Sequence, residues 1–263
     1  MLKIITLNLN GIRSAARKGC FVWLKEQQAD VICLQELKAQ AADLKDLSFL
    51  DGYYAYFHYA EQKGYSGVGI YSRYQPNNVV TGLGWEIADQ EGRYVAIDLG
   101  GLWVASLYMP SGTSGDHRQV IKYDFLNRYR HYLQTLASPH IICGDFNIAH
   151  QPIDLKNWRA NQKHSGFLPE ERQWMDKLFN ELGFIDAFRF INQEAEQYTW
   201  WSHRGRAWEK NVGWRIDYHI ISPELKPTVK SAFIYKNQRF SDHAPLSMEY
   251  DIMIDRFRLS VSH

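Results

Sequence analysis

The chain is short of cysteine, of long apolar runs and of net charge, and each shortage narrows what it can be. Its three cysteines in 263 residues, Cys20, Cys33 and Cys143, are an odd number with neither metal-ligand spacing nor a disulfide framework. That excludes a cystine-stapled scaffold and points to a reducing compartment. No apolar run approaches the roughly 18 residues that span a bilayer. The opening "MLKIITLNLNGIRS" is interrupted at Asn8, Asn10 and Gly11, too early for a signal-peptide core. A cytoplasmic protein is expected. Thirty basic residues against twenty-nine acidic ones give a formal charge of +1, so an anionic partner would have to be met by local patches. Linkers, composition breaks, repeats and low-complexity segments are missing too, and one domain over residues 1–263 is the expected organisation. Core material is plentiful, with 45% hydrophobic and 14% aromatic residues.

Short strand patterns fall at 2–8, 31–35, 53–59, 67–72, 94–99, 102–109, 140–143, 215–222 and 244–252. Helical patterns are fewer. Residues 117–136 repeat Ile121, Phe125, Tyr129 and Leu133 every fourth position. In 168–183, Pro169 and acidic residues mark the start of a helix and Gly183 its C-terminal cap. Some strands alternate and others are continuously apolar, which suggests two packed sheets with helices outside; the pattern leaves strand order open.

Polar residues collect where these strands end. "CGDFN" (143–147) follows Ile141 and Ile142 and sets Asp145 and Asn147 two residues apart, so both can face one object. Asn8, Glu36, Tyr108, Asp242 and His243 occupy similar positions. Each alone reads more readily as a turn former, a cap or a core aromatic. Together, if they converge, they make a hard-cation site suited to Mg²⁺ or Mn²⁺. Asp217 stands inside the apolar "GWRIDYHII", where an unpaired carboxylate is costly, and His243 of "SDH" is the candidate partner. Such a carboxylate fixes the imidazole's tautomer and favours its cation. The plainer alternative is a simple buried ion pair.

Two basic stretches interleave cations with tryptophan, "KNWRANQKH" (156–164) and "WSHRGRAWEKNVGWR" (201–215). They suit phosphate contact and base stacking, or are ordinary solvated loops.

The ordered set "LNLNGIRSA", "ICLQELKA", "LYMPSG", "CGDFNIAHQPIDL", "HSGFLPEERQWMDKL", "NVGWRIDYHI" and "SDHAPL" resembles the exonuclease III-type abasic-site endonucleases of the endonuclease/exonuclease/phosphatase superfamily. The resemblance covers about residues 2–250. It implies a deoxyribonuclease I-like four-layer α/β (α+β) sandwich, with two packed mixed sheets flanked by helices on both outer faces. It also implies Mg²⁺-dependent hydrolysis of double-stranded DNA at abasic sites, with removal of 3′-phosphate and 3′-terminal nucleotides at nicks and blocked 3′ ends. Mn²⁺ would substitute, and the protein would work as a monomer away from membranes.

Carried over position by position, the resemblance makes Glu36 the main metal ligand with Asn8 and Asp242 near it. Asp145, Asn147 and His243 would surround a second metal position. Asp145 would activate the water, Asn147 steady the transition state, and His243, held cationic by Asp217, bind a phosphate oxygen. Tyr108 would give a phenolic hydrogen bond or act as a phenolate. Trp200, Trp214 and Ile216 would cage the flipped sugar, and Asn161 and His164 would border it and its phosphate. His164 departs from the asparagine or small residue of many relatives. Its bulk is expected to crowd an internal abasic nucleotide and favour 3′-end work. Loop 111–116 also departs from some relatives, so their DNA contacts there are not carried over, and segment 203–208 aligns too loosely to fix the DNA-intercalating role that the resemblance offers it. Two alternatives stand beside this reading. A lipid or inositide phosphoesterase is disfavoured by "NVGWRIDY", and an inert DNA-binding module by the presence of every key residue.

Overall fold

Both faces of the first strand are apolar, and both are covered. In β1 (Leu2–Asn8), Leu2 and Ile4 enter one hydrophobic layer while Ile5 and Leu7 enter another, as side chains that alternate along a strand must. The computed structural model, which describes residues 1–44 and 50–254, repeats this two-sided burial in its central strands.

After β1 come α1 (Ile12–Arg17), α2 (Cys20–Gln27), β2 (Val31–Gln35), α3 (Ala41–Leu44), β3 (Tyr54–His58), β4 (Val68–Ser72) and β5 (Asn78–Thr81). Then follow α4 (Glu86–Gln90), β6 (Tyr94–Asp98), β7 (Trp103–Tyr108), α5 (Asp116–Gln134) and β8 (His140–Asp145). The remainder holds α6 (Trp158–Asn161), α7 (Pro169–Asn180), β9 (Ile185–Asp186), α8 (Ala187–Ile191), β10 (Trp200–Trp201) and β11 (Gly213–Trp214). It ends with β12 (Asp217–Ile221), β13 (Val229–Ile234) and β14 (Leu246–Tyr250).

One six-stranded sheet has the order β13-β14-β1-β2-β4-β3 and the other β5-β6-β7-β8-β12-β9, with β10 and β11 as a separate ribbon. Each large sheet is mixed. Its parallel pair is β1 with β2 in the first and β7 with β8 in the second. Ile4, Cys33 and Ile70 of the first sheet pack with Ile97, Val104 and Cys143 of the second. On the outer face of the first sheet, Ile5, Ile32 and Leu34 meet Phe21 and Leu24 of α2. On that of the second, Ala96, Ala105 and Ile142 meet Phe125 and Tyr129 of α5 and Trp174 and Leu178 of α7. The result is the four-layer sandwich expected from the sequence. No helix among the described residues is long and apolar enough to cross a membrane.

The strand expected at 215–222 is shorter at its start. Gly213 and Trp214 pair with Trp200 and Trp201 in the small ribbon, and only from Asp217 does the chain join β8.

Candidate active site

Chain direction brings the polar residues to one edge. The parallel pairs end together, Asn8 beside Gln35 and Tyr108 beside Asp145. Antiparallel β12 begins where β8 ends, so Asp217 faces Asp145. Gly144 is required in its place: at φ +147°, an added Cβ would lie 1.9 Å from the Leu107 carbonyl oxygen. Glu36 and Asn147 follow β2 and β8 with φ of 52° each. These left-handed turns are tolerated by asparagine and cost glutamate about 1–2 kcal/mol, and they end the strands at the rim of the site.

There the structure opens a cavity of about 810 Å³. Glu36, Tyr108, Asp145, Asn147, Asn161, His164, Trp200, Trp214, Ile216, Asp242 and His243 all line it. Asn8 and Asp217 stand behind the wall and act on residues that do. Asn8 Nδ2 donates to Asp145 Oδ2 at 2.9 Å, and the Asn147 amide donates to Asp145 Oδ1 at 2.8 Å. Asn147 Nδ2 donates to the Met109 carbonyl. Asp217 Oδ2 lies 2.8 Å from His243 Nδ1, and His243 Nε2 turns toward Asp145 Oδ2 at 3.8 Å.

Electrostatics follow from this crowding. Burial drives the Asp145 carboxyl up to about 7, the charge of Asp217 pushes the same way, and His243, the Asn147 amide and Asn8 oppose it. Burial works against a charged His243, yet Asp217, then Asp145 and Asp242, hold its proton up to about 10. Burial and nearby Glu36 keep the Tyr108 phenol protonated, well above its ordinary value. Burial of Asp242 is outweighed by His243, Asn10 and Trp200, and its carboxyl stays below the usual range.

Two donor sets could meet a cation. Asp145, Asp217 and His243 each offer an atom within 4.8 Å of the others, and Asp217 Oδ1 is buried with no hydrogen-bond partner among the described residues. While His243 keeps its proton, its ring is a donor and cannot ligate. The oxygens of Glu36 and Asp242 then remain on the cavity wall beside Asp145, a chemistry that fits Mg²⁺ or Mn²⁺. The compact trio therefore includes Asp217, which the sequence suggested only as the partner of His243, and leaves out Glu36.

Trp200 and Trp214 pair across the ribbon edge to face, with centroids 6.3 Å apart and planes at 84°. Ile216 and Phe167 pack beside them. His164 Nδ1 meets Asn161 Oδ1 at 3.1 Å on the cavity wall. Ser111, Thr113 and Ser114 of the departing loop, and Arg204 and Ala207 of segment 203–208, line the same space, as does Lys156.

Sequence reading missed several participants. Lys38 Nζ stands 3.3 Å from Glu36 Oε1 and donates to Asn10 Oδ1, while Asn10 Nδ2 donates to Asp242 Oδ1. Arg93, 1% exposed, lies over the Tyr108 ring at 4.7 Å and donates to the Tyr108 carbonyl. Asn10 and Lys38 sit inside motifs already noted, "LNLNGIRSA" and "ICLQELKA". Arg93 carries no sequence signal, because a lone arginine at a strand start reads as surface.

A cationic imidazole backed by a buried carboxylate, next to a carboxylate poised near neutrality, suits an anionic phosphate that is to be attacked by water. Fold and site define a phosphoester hydrolase. The sequence matches the endonuclease/exonuclease/phosphatase family over residues 5–243. It is 40% identical over 255 residues to an exodeoxyribonuclease of Bacillus subtilis (strain 168), covering 95% of this chain and 100% of that one. An AP endonuclease from Archaeoglobus fulgidus superposes with a TM-score of 0.84 at 32% identity, over 96% of this chain and 100% of that one. A 3′ phosphatase, NExo from Neisseria, bound to a product DNA hairpin, gives 0.81 at 28% identity, over 96% and 100%. The chain belongs to the endonuclease/exonuclease/phosphatase family, and within it to the DNA-repair nucleases of the exodeoxyribonuclease and AP endonuclease type.

Proposed function

We propose that the protein hydrolyses phosphodiesters of double-stranded DNA at abasic sites and clears 3′-phosphates and 3′-terminal nucleotides at nicks, with 3′-end processing favoured. The observation that carries the bias is His164, held by Asn161 on the wall of the cavity. An imidazole there occupies volume that an internal abasic nucleotide with a continuing strand needs and that a terminal nucleotide leaves free. The structural relatives include both AP endonucleases and a Neisseria 3′ phosphatase, one for each of the two activities.

Glu36 and Asp242 would hold Mg²⁺, or Mn²⁺ in its place, with Asp145 and Asn147 around a second position; Asn8, buried behind the wall with its amide on Asp145, and His243, while it keeps its proton, would support the site without ligating. When bound, the ion supplies positive charge against that developing on the phosphate and the leaving 3′-oxygen. Asp145, fixed by Asn8 and the Asn147 amide, orients the attacking water and takes its proton. The Asn147 side chain and the His243 imidazolium bind the non-bridging oxygens as charge builds there, and Asp217 keeps His243 charged. Tyr108, protonated and stacked under Arg93, gives a hydrogen bond to the same phosphate. Trp200, Trp214 and Ile216 receive the flipped sugar and exclude a normal nucleotide by shape. The protein would act as a monomer with a single domain over 1–263, and the buried free thiols suit a reducing cytoplasm.

The test offers the protein two labelled duplexes, one with an internal abasic analogue and one with a nick ending in 3′-phosphate, in Mg²⁺ or in EDTA. Cleavage of both in Mg²⁺ alone is expected, faster at the 3′-phosphate. Inactivity on both in Mg²⁺ would contradict the reading.

A further inference from the structure

Beneath the cavity lies a second buried ionic group that no step of the reaction uses. Lys122 of α5 and Glu171 of α7 are both 0% exposed, and Nζ stands 2.6 Å from Oε1. Desolvating two charges costs several kcal/mol each, so such a pair adds little stability over well-packed apolar residues. Three of its other bonds, with Asn147, Ser165 and Gly166, go to the walls of the site. Lys122 Nζ also donates to the Asn147 carbonyl at 2.8 Å. Glu171 Oε2 accepts from the Gly166 amide at 2.6 Å and the Leu168 amide at 3.1 Å. Glu171 Oε1 accepts from Ser165 Oγ at 3.3 Å and Gln119 Nε2 at 3.1 Å.

The pair thus grips two separate loops at once. One is the left-handed turn at Asn147, whose own amide holds Asp145. The other is 164–168, which carries His164 and meets the first loop through the Ala149 amide and the Gly166 carbonyl. The loops touch so closely that a Cβ on Gly166 would lie 3.2 Å from the Asn147 carbonyl oxygen and 3.1 Å from the Trp214 ring. Misplacing a reacting group by about 1 Å can cost 10²-fold in rate.

We propose that Lys122 and Glu171 form a positioning clamp, in which the ammonium sets the Asn147 turn and through it Asp145, and the carboxylate sets the His164 loop against them. The clamp rests on the reading of the site given above. Helix capping accounts for part of it, since Glu171 takes the Leu168 amide at the start of α7. A cap, however, needs no lysine and no bond to Asn147.

The experiment measures kcat and KM on the 3′-phosphate duplex for Lys122→Met, Lys122→Arg, Asp145→Asn and the double variant Lys122→Met/Asp145→Asn, each checked for folding by its thermal melt. Lys122→Met is expected to lower kcat about 10–100-fold with KM within about 3-fold, and Lys122→Arg to recover most of the loss. In the Asp145→Asn background the lysine change should cost less than about 3-fold, because the lysine acts through the Asn147 backbone on the Asp145 carboxylate. If Lys122→Met does not fold, Glu171→Gln replaces it, with a loss of about 3–10-fold that also shrinks beside Asp145→Asn. Equal cost in both backgrounds, or an unchanged kcat in a folded variant, overturns the clamp alone. If Asp145→Asn keeps full turnover, the reading of the site falls and the clamp with it.

Discussion

Asp217 and His243 stand 2.8 Å apart, Oδ2 to Nδ1, both almost wholly buried, with the other face of the ring turned to Asp145. In the proposed reaction this pair sets the charge that the site presents to a phosphate at neutral pH. Replacing Asp217 by asparagine keeps the shape and removes the charge. With Asp145 titrating at about 7 and His243 at about 10, turnover should rise through the first value and fall through the second. In Asp217→Asn the alkaline limb should move down by more than a unit, with kcat at neutral pH lowered about 10²-fold or more. A pH–rate profile of both proteins checks this.

Chelation with EDTA should abolish turnover on DNA, and Mg²⁺ or Mn²⁺ should restore it. Glu36→Gln should raise the Mg²⁺ concentration for half-maximal rate by about 10-fold or more while leaving the thermal melt in place. A Mg²⁺ titration of initial rate separates the two proteins.

Acid stability turns on a different cluster. Arg215 lies buried between Trp214 and Ile216, donating to Asp154 at 2.8 Å and Asp186 at 2.7 Å, while Arg189 donates to Asp154 at 2.9 Å. Burial opposes the Asp154 charge, but Arg215 and Arg189 outweigh it and hold the carboxyl below its ordinary 3.8. A depressed folded pKa means stability fully present above the unfolded value and lost as pH falls through the folded one. Asp154→Asn should cost about 3–5 kcal/mol at neutral pH and flatten the loss of Tm below about pH 4. Calorimetry against pH reads both.

Much of this was legible in the chain because the central strands are buried on both faces. "LKIITLN" and "VICLQ" read as strands with the bounds they have in the fold, and the every-fourth repeat through Phe125, Tyr129 and Leu133 found α5 to within two residues. β13 was not foreseen: a bulge between Val229 and Ser231 breaks its alternation, and Phe233 points to solvent. β5 offers only four residues, none buried. Helix α2, "CFVWLKEQ", hides in a run too short to show its period. At the site, the polar residues at strand ends announced themselves as out of place after apolar runs. Lys122 and Arg93 did not, since a lysine on an amphipathic helix or an arginine before a strand looks solvated until the fold buries it.

The tryptophan ribbon should affect binding more than chemistry. An edge-to-face aromatic pair contributes about 0.5–1.5 kcal/mol, so Trp214→Ala should weaken lesion binding by about 2–10-fold. It should also narrow the preference over undamaged duplex, with little change in single-turnover rate at saturation. Gel-shift titration of lesion and undamaged duplexes checks it.

The most direct test of the proposed preference is single-turnover cleavage of the internal abasic duplex and the 3′-phosphate nick by the native protein, His164→Gly and His164→Asn. The expected result is a rise of about 10-fold or more in the ratio of abasic cleavage to 3′-phosphate removal in both variants, as the crowding imidazole is lost. An unchanged ratio, with folded protein and intact 3′-phosphate removal, would contradict the role of His164.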